Sequence, residues 1–158
     1  MVRIIKFGIT IVFCACFLGA CGSPEPPTHA EFVVEANSVC SAAREKVRAM
    51  DAPDPTKKAA TVRVAEQVVQ IERKALSSLR AITAPDVDAA NVDRWLGMID
   101  QTLNQSEISV RAQTSGNLEA ARQANENGQL LNERASHVAT QLGVTSCIAA
   151  ETGGTSSP

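Results

Sequence analysis

Five cysteines and two histidines carry most of the reactive chemistry open to this chain. A thiolate can act as a nucleophile or as half of a disulfide, and an imidazole as a base or a metal ligand. His137 follows Glu133 by four residues, so the two share a helix face, whereas His29 stands alone in a first helical turn. Two ligands fall short of the three or four that zinc requires. A solvated Glu133–His137 pair, worth a few tenths of a kcal/mol, is the expectation. The Glu-x-x-His signature of di-metal bundles is missing. Glu31 and Glu35 lie one turn apart, but acid–base work needs a desolvated pocket, and periodicity leaves both exposed. The chain has no Ser/His/Asp order, Gly-rich phosphate loop, Cys-x-x-Cys or basic stripe with aromatics. The expectation is no catalytic residue, no metal, no cofactor and no enzymatic activity.

The cysteines divide by position. Residues 1–20 read as an export leader, with Arg3 and Lys6 as its basic start and Ile9, Ile11, Val12, Phe13, Phe17 and Leu18 as its apolar stretch. Cys14 and Cys16 lie inside it. The leader ends Leu18-Gly19-Ala20-Cys21, which resembles the lipobox of bacterial lipoproteins. There the Cys21 thiol would accept a diacylglyceryl group as a thioether and become residue one after cleavage. Cys40 and Cys147 remain, an even pair in an oxidising compartment. A disulfide is the default reading, with two unpaired buried thiols the alternative.

Composition narrows the function classes. The chain has 158 residues, enough for one domain. Losing Arg3 and Lys6 leaves 13 basic against 17 acidic residues, a net charge of −4. That argues against a nucleic-acid partner. The aromatics are Phe7, Phe13, Phe17, Phe32 and Trp95, three of them in the leader. A core of Ala, Val, Leu and Ile favours helices.

Residues 21–27 hold the candidate lipidated cysteine and a Pro-rich tether, which spans roughly 20 Å as extended chain. Residues 28–148 read as four helices. The first opens with the capping box Thr28-His29-Ala30-Glu31. Phe32, Ala36, Val39, Ala43, Val47 and Met50 form its apolar stripe, and Pro53 ends it. The second starts with Asp54 as N-cap and Pro55 at its first position. Its stripe is Val64, Val68, Ile71, Ala75, Leu79 and Ile82, widened by Ala65, Val69 and Leu76, and it stops at Thr83-Ala84-Pro85. The third runs from about Asp86 to Thr114 on Val92, Leu96, Ile99, Leu103, Ser106 and Val110, with Trp95 beside them and Gly116 as terminator. The fourth runs from Asn117 to Leu142 on Ala121, Ala124, Gly128, Leu131, Ala135, Val138 and Leu142, followed by Gly143. Residues 149–158 are a polar tail expected to be disordered. Four such stripes with short loops specify an all-α, up-down-up-down four-helix bundle.

Antiparallel registration sets Trp95 level with Phe32, Ala75 and Ala135. With Gly128 on the inward stripe of the fourth helix, these five residues mark a candidate pocket, although a large residue opposite small ones is also ordinary core packing. Ser106 is expected to bond a carbonyl one turn back. A Cys40–Cys147 bridge meets one geometric difficulty. Cys40 lies 12 residues up the first helix, roughly 18 Å, while residues 143–147 reach about 16 Å. Either the tail doubles back along the first helix, or that helix projects beyond the bundle.

The order Phe32, Ala36, Asn37, Cys40, then Ala84 and Pro85, then Leu142, Gly143, Cys147 resembles a group of lipoproteins and small secreted helical proteins common in actinobacteria. The resemblance spans most of the chain beyond the leader. It implies a four-helix fold and a Cys40–Cys147 bridge, and it implies no activity. The expected role is a membrane-anchored, extracytoplasmic, non-catalytic binding or structural module, held at the cell membrane through its lipid and facing an envelope protein partner. The alternative is a carrier for a small apolar ligand or lipid in the bundle interior.

Overall fold

The computed structural model describes residues 25–54 and 56–148. The leader, the lipobox residues Leu18, Gly19, Ala20 and Cys21, the first part of the tether, Pro55 and residues 149–158 lie outside the described residues. Four helices follow in order: α1 His29–Arg48, α2 Lys58–Ala81, α3 Ala89–Ser115 and α4 Leu118–Gln141, then a 3-10 turn over Thr145–Cys147. They form an all-α four-helix bundle with one disulfide, Cys40–Cys147. Among the described residues no helix is long and apolar enough to cross a membrane.

The helix ends follow local chemistry. The Thr28 hydroxyl accepts from the Glu31 N–H, and the Glu31 carboxylate accepts from the Thr28 N–H at 2.8 Å, a complete capping box. Asn117 caps α4 by accepting from the Ala120 N–H at 3.1 Å. Gly116 and Gly143 take φ of +81° and +74° at the ends of α3 and α4, the left-handed turn that glycine makes at low cost.

Two starts differ from the sequence expectation. Asp54 does not cap α2. Its carboxylate accepts from the backbone N–H and hydroxyl of Thr56, two residues on, and this local turn delays the helix to Lys58. Asp88 occupies the cap position of α3 without capping it. Its carboxylate instead meets His29 Nδ1 at 2.6 Å, tying the start of α1 to the α2–α3 connection.

The buried stripes are also rotated from those expected. On α2 the buried residues are Val62, Val69, Leu76 and Leu79, while Val64, Val68, Ile71 and Ala75 are half-buried. Upper α3 buries Ser109 and Ala112 rather than Ser106 and Val110. These small residues lie where α3 packs closely on α4, whose buried positions there are Ala121, Ala124 and Gly128. Small side chains let two backbones approach.

The main core gathers at the end of the bundle where α1 begins. It joins Phe32 and Ala36, Leu76 and Leu79, Val92, Trp95, Leu96 and Leu103, Ala135, Val138 and Ala139, and finally Leu142 and Val144. Phe32 and Trp95 are each 1% exposed. Aromatic side chains bury about 150–250 Å² apiece, so these two anchor the cluster.

The tail resolves the disulfide geometry. Gly143 reverses the chain, with the Val144 N–H donating to Ala139 O at 2.9 Å. The tail then climbs α1. Asn37 Nδ2 donates to Gly143 O at 3.4 Å, the Ser146 N–H donates to Asn37 Oδ1 at 2.7 Å, and Cys147 reaches Cys40 with their Cα atoms 5.1 Å apart. The chain doubles back, and α1 does not project, because its first residue is already paired with Asp88.

Candidate functional site

The doubled-back tail has a consequence for packing. It fills the seam between α1 and α4, and no Cα of α1 comes within 8 Å of one in α4. Lower α1 closes on the core through Phe32 and Ala36. Upper α1 does not: Val39, Ala43, Val47 and Met50, the continuation of its apolar stripe, are only half-buried. An amphipathic stripe without a full partner leaves a groove.

That groove has a volume of about 430 Å³, within the range of small-molecule sites. On α1 it is lined by Cys40, Ala43, Arg44, Val47 and Arg48, and on α2 by Glu72, Ala75, Leu76 and Leu79. Ile99, Thr102 and Leu103 of α3 and Asn132 of α4 make its floor, and Ser146 with Cys147 closes one end. The disulfide is therefore part of the groove wall.

Polarity changes along the groove. α1 and α2 run antiparallel, so Cys40 faces the Leu79 end and Arg48 the Glu72 end. The first end is apolar, with Leu76, Leu79, Ile99 and Leu103 around the disulfide. The second is charged. Arg44 and Arg48 lie one turn apart on the same face, and among the described residues neither has a carboxylate oxygen within 4.0 Å. Glu72 is exposed over much of its surface, yet desolvation against the groove pushes its carboxyl above the ordinary carboxylate range.

Of the five residues expected to mark a pocket, only Ala75 lines this groove. Phe32, Trp95 and Ala135 are packed in the core. Gly128 is buried against α3, where an added Cβ would meet Gln105 Cβ at 3.5 Å, an ordinary contact. Ser106 donates to Thr102 O at 3.2 Å, one turn back. Arg44, Arg48 and Glu72 escaped the sequence reading because they flank the apolar stripes and look solvated. The available signal was Arg-x-x-x-Arg bracketing Val47, beside a stripe with no aromatic residue after Phe32.

Other charged groups serve the scaffold. Arg73 of α2 bonds Asp100, Asn104 and Glu107 of α3, and Arg80 donates to Asp100 at 3.1 Å. The hydrogen bonds from Arg80 and then Arg73 hold the Asp100 carboxyl below its usual range. His137 is exposed and meets Gln141 at 3.2 Å rather than Glu133. Among the described residues no three of His, Cys, Asp or Glu cluster as metal ligands. No protein-family model, curated protein or solved structure matches this chain.

Proposed function

We propose that this protein is a lipid-anchored, extracytoplasmic binding module of the cell envelope, with no catalytic role. The observation that carries the reading is the groove of about 430 Å³ left beside upper α1. Its walls are mainly apolar, and its charged groups stand at one end, the arrangement of a binding cleft. Between an envelope protein and a small apolar ligand or lipid, the groove's size favours the second. The anchor reading rests on Leu18-Gly19-Ala20-Cys21 and the basic, apolar leader before it.

Intact-mass measurement of the membrane-bound protein tests the anchor. The expected species begins at Cys21 and carries diacylglycerol. A soluble chain, or one that retains Arg3, would contradict it.

A further inference from the structure

We propose that the groove takes a single-chain amphiphile with an anionic head, its apolar chain lying toward the Cys40–Cys147 disulfide and its head at Arg44 and Arg48. The inference rests on the groove being a binding site and adds the ligand's chemistry.

Three observations carry it. The first is the ordering of the walls. From Cys40 to Arg48 the α1 lining passes through Ala43 and Val47, and from Leu79 to Glu72 the α2 lining passes through Leu76 and Ala75. Apolar surface at one end and charge at the other match an amphiphile and not a wholly apolar molecule. Eight residues of helix separate Cys40 from Arg48, about 12 Å, which suits an extended alkyl chain better than a compact ring system.

The second is charge. Two arginines, Arg44 and Arg48, line the groove against one acidic residue, Glu72. A cationic head would meet net repulsion there, and an anionic head net attraction. Guanidinium groups also fit the planar, two-oxygen geometry of a carboxylate.

The third is that these arginines are unengaged. Arg73 and Arg122 are each held by two carboxylates. Arg44 and Arg48 have no such partner among the described residues, so a head group displaces no internal ion pair. Among the other polar lining residues, the Asn132 amide can add a further hydrogen bond, whereas the Thr102 hydroxyl already donates to Met98 O.

The test uses the full chain in lipid nanodiscs and three photoreactive probes of one chain length: diazirine-bearing dodecanoate, dodecanol and dodecylamine. Adducts are mapped by mass spectrometry on peptides covering residues 39–48 and 72–79. Dodecanoate is expected to label these peptides at least tenfold more than dodecylamine, with dodecanol between them. In R44Q/R48Q, dodecanoate labelling is expected to fall to the dodecanol level while dodecanol labelling persists. Both arginines lack ion-pair partners, so this variant should fold, and circular dichroism checks that it does. Equal labelling by all three probes, or stronger labelling by dodecylamine, would overturn the anionic-head assignment and leave the groove as a binding site. No groove labelling by any probe would overturn the groove reading as well.

Discussion

Asn37 holds Ser146 through a backbone hydrogen bond of 2.7 Å, across 109 positions of sequence. The same side chain donates to Gly143 O. One amide therefore grips the returning tail at two points and delivers Cys147 to Cys40, one turn further along α1. The tail so held, through Ser146 and Cys147, closes one end of the groove.

Replacing Asn37 by alanine removes both bonds and leaves backbone groups of the tail without their partner. The cost is expected at about 1–3 kcal/mol, the range for stranding part-buried polar groups. N37D keeps the acceptor for Ser146 but loses the donor to Gly143, so it should fall between the two. Denaturant titrations with unchanged m values would measure this. An N37A chain as stable as wild type would show that the disulfide alone fixes the tail.

The bridge closes a loop with a sequence separation of 107. Chain entropy assigns about 4.7 kcal/mol to a loop of that size, and measured losses on removing native disulfides run about 2–5 kcal/mol. C40S/C147S should lose stability within that range while keeping its helical signal, because the buried core cluster draws on all four helices and the two cysteines only pack against it. Non-reducing peptide mapping should join the two cysteines. Free thiols on both would refute the pairing.

Two carboxyls give opposite pH signatures. Asp100 has a folded pKa below its unfolded value, through Arg80 and then Arg73. Its contribution is present above the ordinary carboxylate range and is lost as pH falls through it. D100N should therefore destabilise near neutrality, by up to about 1 kcal/mol at this partly solvated site, and converge on wild type in acid. Glu72 has a folded pKa above its ordinary 4.5, through desolvation. Its contribution is present below that value and is lost as pH rises through the folded pKa. E72Q should gain stability relative to wild type as pH moves from below 4.5 to neutrality. Parallel pH–stability curves for E72Q and wild type would contradict the desolvation.

Glycine substitutions should separate conformation from space. Gly143 sits at φ +74°, so G143A is expected to cost about 1–2 kcal/mol in backbone strain alone. Gly128 lies within α4 with ordinary room for a Cβ, so G128A should stabilise by about 0.4–1 kcal/mol. Thermal melts of the two variants would show shifts of opposite sign. A destabilised G128A would mean that the α3–α4 contact at Gln105 cannot yield.

The helices were legible because their signals are local. Thr28 with Glu31, Asn117, Gly116 and Gly143 mark ends through their own backbone chemistry, and each does so in the structure. Asp54 misled because a capping residue can be diverted, here to Thr56, and the third helix begins at Ala89 rather than about Asp86, with the Asp88 carboxylate turned to His29. Local pattern also could not fix which side of a wide stripe is buried, so Val69 and Leu76 took the place expected for Val68 and Ala75. The groove was least legible. It lies beside a tail that packs on both α1 and α4 where those two helices do not meet, and nothing in the period of α1 records that. Arg44 and Arg48 read as solvated residues until the missing neighbour is known.

A binding groove of this kind should hold an amphiphile when the protein is in its membrane. The most direct test is to purify the full chain from native membranes, wash it into nanodiscs, and identify molecules released on denaturation. One anionic single-chain amphiphile per protein is expected, at least tenfold depleted from an A75W variant, in which an indole is placed in the groove lining and helical content is checked to be unchanged. Release of no stoichiometric molecule from the wild-type chain, or equal release from A75W, would contradict it.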